Sequence, residues 1–177
     1  MKAAVFFLTH TFLFFSILLV MMSFQGAIWL QLFSQFPSPS LWITFIVYGA
    51  FYRSLPEAII LTYITSLIAA PFVNLPIGLM ITCNSLIMAL LLAIKSRFMV
   101  SRPIFLSLLT LLMTLIFPVI HYLLSVFIEP NPIQNFEFFS WLISALLTAI
   151  FSITLFQLYI WFDTIMAKSW PTELGRY

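Results

Sequence analysis

Residues 51–59 read FYRSLPEAI, placing Arg53, Pro56 and Glu57 between two apolar runs. Whether this stretch lies inside a membrane span or at the corner between two spans decides the fold. The rest of the chain sets the terms. Of 177 residues, 63% are hydrophobic, 18% aromatic and only 7% charged, and the mean hydropathy is +1.15. A soluble domain carries roughly 25% charged residues, so this chain lacks the polar side chains to cover a water-facing surface. The composition implies an all-α polytopic integral membrane protein with membrane lipid as its solvent. No soluble domain is expected, and a net charge of +2 gives no reason to expect a nucleic-acid partner.

A membrane-crossing helix needs about 20 mostly apolar residues. Working outward from FYRSLPEAI, the apolar runs predict six spans, at residues 3–24, 39–53, 56–73, 77–94, 103–128 and 138–162, with a tail at 163–177. The first run exceeds the roughly 7–15 residue core of a cleaved signal peptide, so it reads as a retained helix. Residues 26–36 either prolong that helix or lie at the interface, and FPSPS (36–40) ends it, because Pro37 and Pro39 lack backbone donors. The second and third spans are short. They either borrow length from the flanking FPSPS and PFVNLP segments or fuse into one long kinked element.

The basic residues favour separate spans. Cytoplasmic connectors collect Lys and Arg, and Lys95, Arg97 and Arg102 share the connector KSRFMVSR (95–102). Counting outward with six spans puts Lys2, Arg53, Lys168 and Arg176 on that same side, with both termini cytoplasmic. Fusion would instead bury Arg53 and Glu57 at mid-membrane, at about 2.5–3.5 kcal/mol for each charge on translocon scales. FYRSLPEAI is therefore a cytoplasmic corner. Pro56 starts the third helix, and Glu57 lies in its first turn, where the helix dipole favours an anion. Arg53 then acts either as a snorkelling topology anchor or as a docking point for a cytoplasmic partner.

Small residues recur every four positions at Ala58, Thr62, Ser66 and Ala70, and again at Ser140, Ser144, Thr148 and Ser152. Thr110, Thr114, Pro118, His121 and Ser125 follow neighbouring turns of the fifth span. Such stripes predict tight helix packing. Ser107 is expected to lie off them, and a polar solute path is the alternative use of the hydroxyls. Cys83 is alone, which excludes an internal disulfide. His10 and His121 lack metalloprotease spacing, and no nucleophile elbow or phosphate loop occurs. His121 and Ser125 share a face but have no orienting acid beside them, so they read as packing groups. Asp163 falls just past the predicted sixth span, beside Trp161, in an aromatic interfacial belt. The chain is expected to be no enzyme and to need no cofactor or metal.

The order of features from Pro39 to Arg102 resembles the MreD family of bacterial rod-shape proteins. That family has an apolar span ending in an aromatic-arginine corner, a further helix, a turn into a Leu-(x)-Gly-Leu helix start, and a basic connector. Here these parts are VYGAFYRSLPEAIILTYITSLIAA (47–70) and VNLPIGLMITCNSLIMALLLAIKSR (73–97). The resemblance covers about a third of the chain, and SLIAAPFVN lacks the acidic residue the family often carries after its third helix. It implies a non-enzymatic scaffold of the cell-elongation and peptidoglycan-synthesis complex in the bacterial cytoplasmic membrane. The implied partners are MreC-like, RodA-like and penicillin-binding proteins and the MreB filament. Arg53 and Gly78 carry over from the family pattern, and with Glu57, Lys95, Arg97 and Arg102 they form the expected partner-binding set. The alternative is a substrate-binding subunit of an energy-coupling-factor type transporter. That role needs an outward polar pocket, for which Asn74, Asn84, Glu129, Asn131, Gln134, Asn135 and Glu137 are available.

Overall fold

A computed structural model describes residues 2–97, 103–128 and 137–165. These residues form six helices and no strand. The first, α1 (Lys2–Ser23), runs on through a π-helical stretch (Phe24–Trp29) and a closing turn (Leu30–Leu32). Then come α2 (Trp42–Tyr52), α3 (Leu55–Val73), α4 (Ile77–Lys95), α5 (Pro103–Ile128) and α6 (Phe138–Ile165). Five of the six are long and apolar enough to cross a membrane. The chain is an all-α polytopic membrane protein.

Helix α2 is the exception in length, with 11 residues, all of them buried. At about 1.5 Å per residue it covers roughly 16 Å, about half of a hydrocarbon core. The predicted span 39–53 is therefore helical only from Trp42, and the residues before it are non-helical. Its partner α6 sets the scale. Ser144 Oγ donates to the Ser38 carbonyl at 2.7 Å, and the Ser40 amide donates to Thr148 Oγ1 at 2.8 Å. Further along, Thr44 Oγ1 and Tyr159 OH share a hydrogen bond at 3.0 Å. Arg53 reaches Asp163 at 2.6 Å. Residues 38–53 thus run parallel to residues 144–163 of α6, a stretch of roughly 28 Å at helical rise. Parallel second and sixth segments are what an alternating six-segment order requires.

The broken backbone of FPSPS needs partners, because buried N–H and C=O groups are almost always bonded. Gln25, in the π-helical stretch of α1, accepts from the Leu41 amide at 3.2 Å. Ser144 and Thr148 serve Ser38 and Ser40, and the Trp29 indole donates to the Phe36 carbonyl at 3.4 Å. The α6 stripe therefore holds backbone as well as packing against it. On α3 the stripe is buried as expected, and Thr62 and Ser66 bond back to the carbonyls four residues earlier, at 2.8 and 2.7 Å. Asn84 of α4 donates to Ser66 Oγ at 2.9 Å, tying the α3–α4 hairpin. Thr110, Thr114, His121 and Ser125 of α5 are likewise buried. Ser107 departs from expectation: it is buried too, because the inner face of α5 extends a turn beyond the hydroxyl pattern.

Two backbone positions fix the corners. A Cβ on Gly49 would lie 3.0 Å from Leu61 Cδ2 and 3.9 Å from Ala58 Cα, so α2 and α3 approach closely at that glycine. Asn74 ends α3 in the left-handed region (φ 55°), a conformation asparagine tolerates better than most residues. Between α1, α2 and α6 the core is aromatic. Phe45 and Tyr159 ring centroids lie 4.8 Å apart, and Tyr48 stacks on Tyr52 at 4.7 Å.

Candidate functional site

Among the described residues, the buried arginine and the buried aspartate, Arg53 and Asp163, meet at one end of the bundle. Helix α2 stops at Arg53, which adopts extended backbone and returns its amide to the Gly49 carbonyl at 3.1 Å. The Arg53 side chain turns inward instead of snorkelling out. It is only 5% exposed, and its Nη2 lies 2.6 Å from Asp163 Oδ1. Tyr48, one turn and a half earlier on α2, donates its hydroxyl to the other Asp163 oxygen. The guanidinium carbon sits 4.8 Å from the Phe14 ring centroid and 5.5 Å from that of Tyr48. One carboxylate on α6 thereby joins two side chains of α2, with an aromatic face of α1 closing over the charge.

Each partner has a physical reason to be there. A buried guanidinium needs an anion, and an aromatic ring adds cation–π attraction of about 0.5–2 kcal/mol. A buried carboxylate needs its lone pairs occupied, and here both oxygens are engaged. Removing one partner of such a pair commonly costs about 3–5 kcal/mol, because the other charge is left stranded. The chemistry of this cluster is that of a latch holding α2 against α6.

The predicted site residues do not form one cluster. Lys95, the last residue of α4, extends to the same end and donates from Nζ to the Ala50 carbonyl at 2.8 Å. A cation there satisfies a helix C-terminus. Glu57 lies half-buried in the first turn of α3, and Arg97 is exposed just beyond α4. Arg102 lies outside the described residues. Gly78 is in the first turn of α4, at the other end of the bundle from Lys95. A Cβ there would meet nothing within 4 Å, so no packing contact requires glycine at that position.

Sequence reasoning missed Asp163 and Tyr48. Ending the sixth span at residue 162 put Asp163 outside the bundle, whereas α6 continues to Ile165 and Asp163 is buried within it. The usable signal was an acid and an arginine at the same end of two parallel spans.

The opposite end holds a cleft of about 340 Å³, lined by Trp42, Phe117, Pro118, His121, Glu137 and Trp141 among others. Of the polar residues expected to form an outward pocket, Glu137 is here. Asn74 instead ends α3 and Asn84 bonds Ser66 inside the bundle. Glu129, Asn131, Gln134 and Asn135 lie outside the described residues. No protein-family profile, curated protein or solved structure matches the chain.

Proposed function

We propose that this chain is a non-enzymatic scaffold of the bacterial cell-elongation complex, in the cytoplasmic membrane with both termini on the cytoplasmic side. Its partners would be MreC-like, RodA-like and penicillin-binding proteins and the MreB filament. The observation that carries the reading is the way the aromatic-arginine corner is built. Arg53, Tyr48 and Asp163 lock α2 to α6 at one end, and Ser144 and Thr148 grip the FPSPS backbone at the other. A central helix clamped at both ends suits a rigid platform. Exposed apolar residues such as Leu108, Leu112, Leu123 and Phe127 on α5 offer partner helices a surface. Arg53, Lys95 and Arg97 gather at one end, which supports the cytoplasmic assignment of that end.

Affinity purification from cells expressing the tagged chain, after crosslinking in the membrane, tests this reading. Enrichment of cell-wall elongation proteins is expected, and an absence of such proteins at normal expression would refute it. The cleft at the other end, where Ser40, Ser144 and Glu137 join a mainly apolar lining, favours a second reading, a substrate-binding subunit of an energy-coupling-factor type transporter. Under that reading the same purification recovers a transporter ATPase module instead.

A further inference from the structure

The cleft at the end remote from Arg53 opens between the start of α2, the α3–α4 turn, the second half of α5 and the first turns of α6. Its volume, about 340 Å³, is in the range of small-molecule sites, roughly 300–1,000 Å³. Three aromatic rings, from Trp42, Phe117 and Trp141, contribute to the wall. Trp42 and Phe117 meet edge to face, with centroids 5.7 Å apart.

Two polar groups in this wall lack their ordinary partners. Trp42 is 3% exposed, and its indole Nε1–H meets no hydrogen-bond acceptor among the described residues. Pro118 has no N–H to return to the Thr114 carbonyl four residues earlier, and both residues line the cleft. A buried indole N–H calls for an acceptor, and a carbonyl without its i+4 donor presents a partial negative charge that favours a cation. Charge adds a third constraint. Glu137 is exposed at the head of α6 and is the one carboxylate among the described lining residues. Arg53, Lys95 and Arg97 all belong to the opposite end.

We propose that this cleft binds an organic ammonium group carrying an oxygen acceptor a few bonds away, the chemistry shared by ethanolamine and choline phosphates. The ammonium has the aromatic wall for cation–π attraction and Glu137 for a charge-assisted contact. The acceptor oxygen answers the Trp42 N–H. A purely apolar occupant leaves that N–H unsatisfied, and a simple anion meets the Glu137 carboxylate. The ligand is a membrane lipid headgroup or a free solute. The inference stands apart from the scaffold reading, since it concerns the other end of the bundle and does not require any partner protein.

The test uses the full chain purified in a neutral detergent and titrated calorimetrically with phosphoethanolamine, phosphocholine and 3,3-dimethylbutyl phosphate, the carbon counterpart of phosphocholine, which keeps the phosphate and carries a neutral tert-butyl group in place of the ammonium. In parallel, nanodiscs of phosphatidylethanolamine or phosphatidylglycerol are compared by native mass spectrometry for retained lipid. An ammonium ligand should be preferred about tenfold over its carbon counterpart, as a desolvated cation–π contact implies. Glu137→Gln should weaken binding about fivefold, the effect of losing a rim ion pair. Trp141→Leu should weaken it about threefold. Glu137 is exposed and Trp141 half-buried, and unchanged melting of the ligand-free variants verifies their folding. Saturable binding of a free probe supports a solute ligand. Retention of phosphatidylethanolamine alone supports a headgroup. Failure of both arms, equal binding of the carbon counterpart, or indifference to both substitutions overturns the proposal.

Discussion

Removing Asp163 offers the sharpest test of the latch. In Asp163→Leu, Arg53 loses its anion and Tyr48 loses the acceptor of its hydroxyl. Breaking a buried pair from one side costs about 3–5 kcal/mol, and a stranded hydroxyl adds about 1–3 kcal/mol. Because Arg53 ends a helix close to the bundle surface, snorkelling returns part of that cost. The net expectation is about 3 kcal/mol, roughly a 150-fold loss in the folding equilibrium. The companion double variant, Arg53→Met with Asp163→Leu, removes both charges and retains apolar volume, and such replacements are often neutral or stabilising. Unfolding of each protein in bicelles, followed by steric trapping, gives the double-mutant cycle directly. A coupling of about 2 kcal/mol or more, with the double variant close to wild type, supports the latch. The reasoning fails if Asp163→Leu costs less than about 1 kcal/mol, or if the two substitutions simply add.

Gly49→Leu should cost about 1–3 kcal/mol, because its side chain would meet Leu61 and the α3 backbone, while Gly49→Ala should cost less since Leu61 can rotate aside; the same unfolding assay separates them. Thr148→Val and Ser144→Ala should each cost about 1 kcal/mol, and should raise amide exchange at Ser40 and Leu41, read by hydrogen–deuterium mass spectrometry. Ser66→Leu, within the buried α3 stripe, should lower the melting temperature well below that of Thr82→Leu on the exposed face of α4. Reporter fusions after Arg97 should register as cytoplasmic and fusions after Glu137 as external; the reverse pattern would invert the proposed orientation.

Most of the architecture was legible from where charges can stand. Arg53 and Glu57 would be costly at mid-membrane, so they had to mark a corner, and the corner separates α2 from α3 at Arg53. The stripe on α3 was legible for a similar reason: small residues at a spacing of four leave only one face on which backbones can approach. The role of Arg53 was not legible. Its partner lies 110 residues away, and an aspartate beside Trp161 looks the same in sequence whether it faces water or an arginine. Ser144 and Thr148 posed the same difficulty. Hydroxyls in a stripe signal burial, but only the three-dimensional register reveals that they bind the carbonyl and amide of a non-helical segment. Gly78 illustrates the converse, since its place in a family-like motif was visible while its surroundings leave room for a side chain.

The polar contacts of α2 also address a problem particular to apolar bundles. Inside a membrane, hydrophobicity does not distinguish a helix-facing side from a lipid-facing side, so packing alone discriminates weakly between registers. Apart from Thr44 and Tyr48, helix α2 is apolar, and without polar contacts it could slide or rotate against α6 at little cost. Its contacts at the two ends remove that freedom. Shifting α2 by one turn, about 5.4 Å, would pull Ser40 from Thr148 and Arg53 from Asp163 together, leaving a buried amide and two buried charges exposed to hydrocarbon. We read the latch and the Ser144–Thr148 clamp as a register device whose value lies in the cost of alternatives more than in the native contacts. Accordingly, the double variant that removes both charges should remain stable and yet lose uniqueness. Single-cysteine crosslinking between α2 and α6 is the measurement that separates these properties. One dominant crosslinked pair is expected for the wild type and several adjacent pairs for the double variant; a single unchanged pair in both would show that the register is set without the latch.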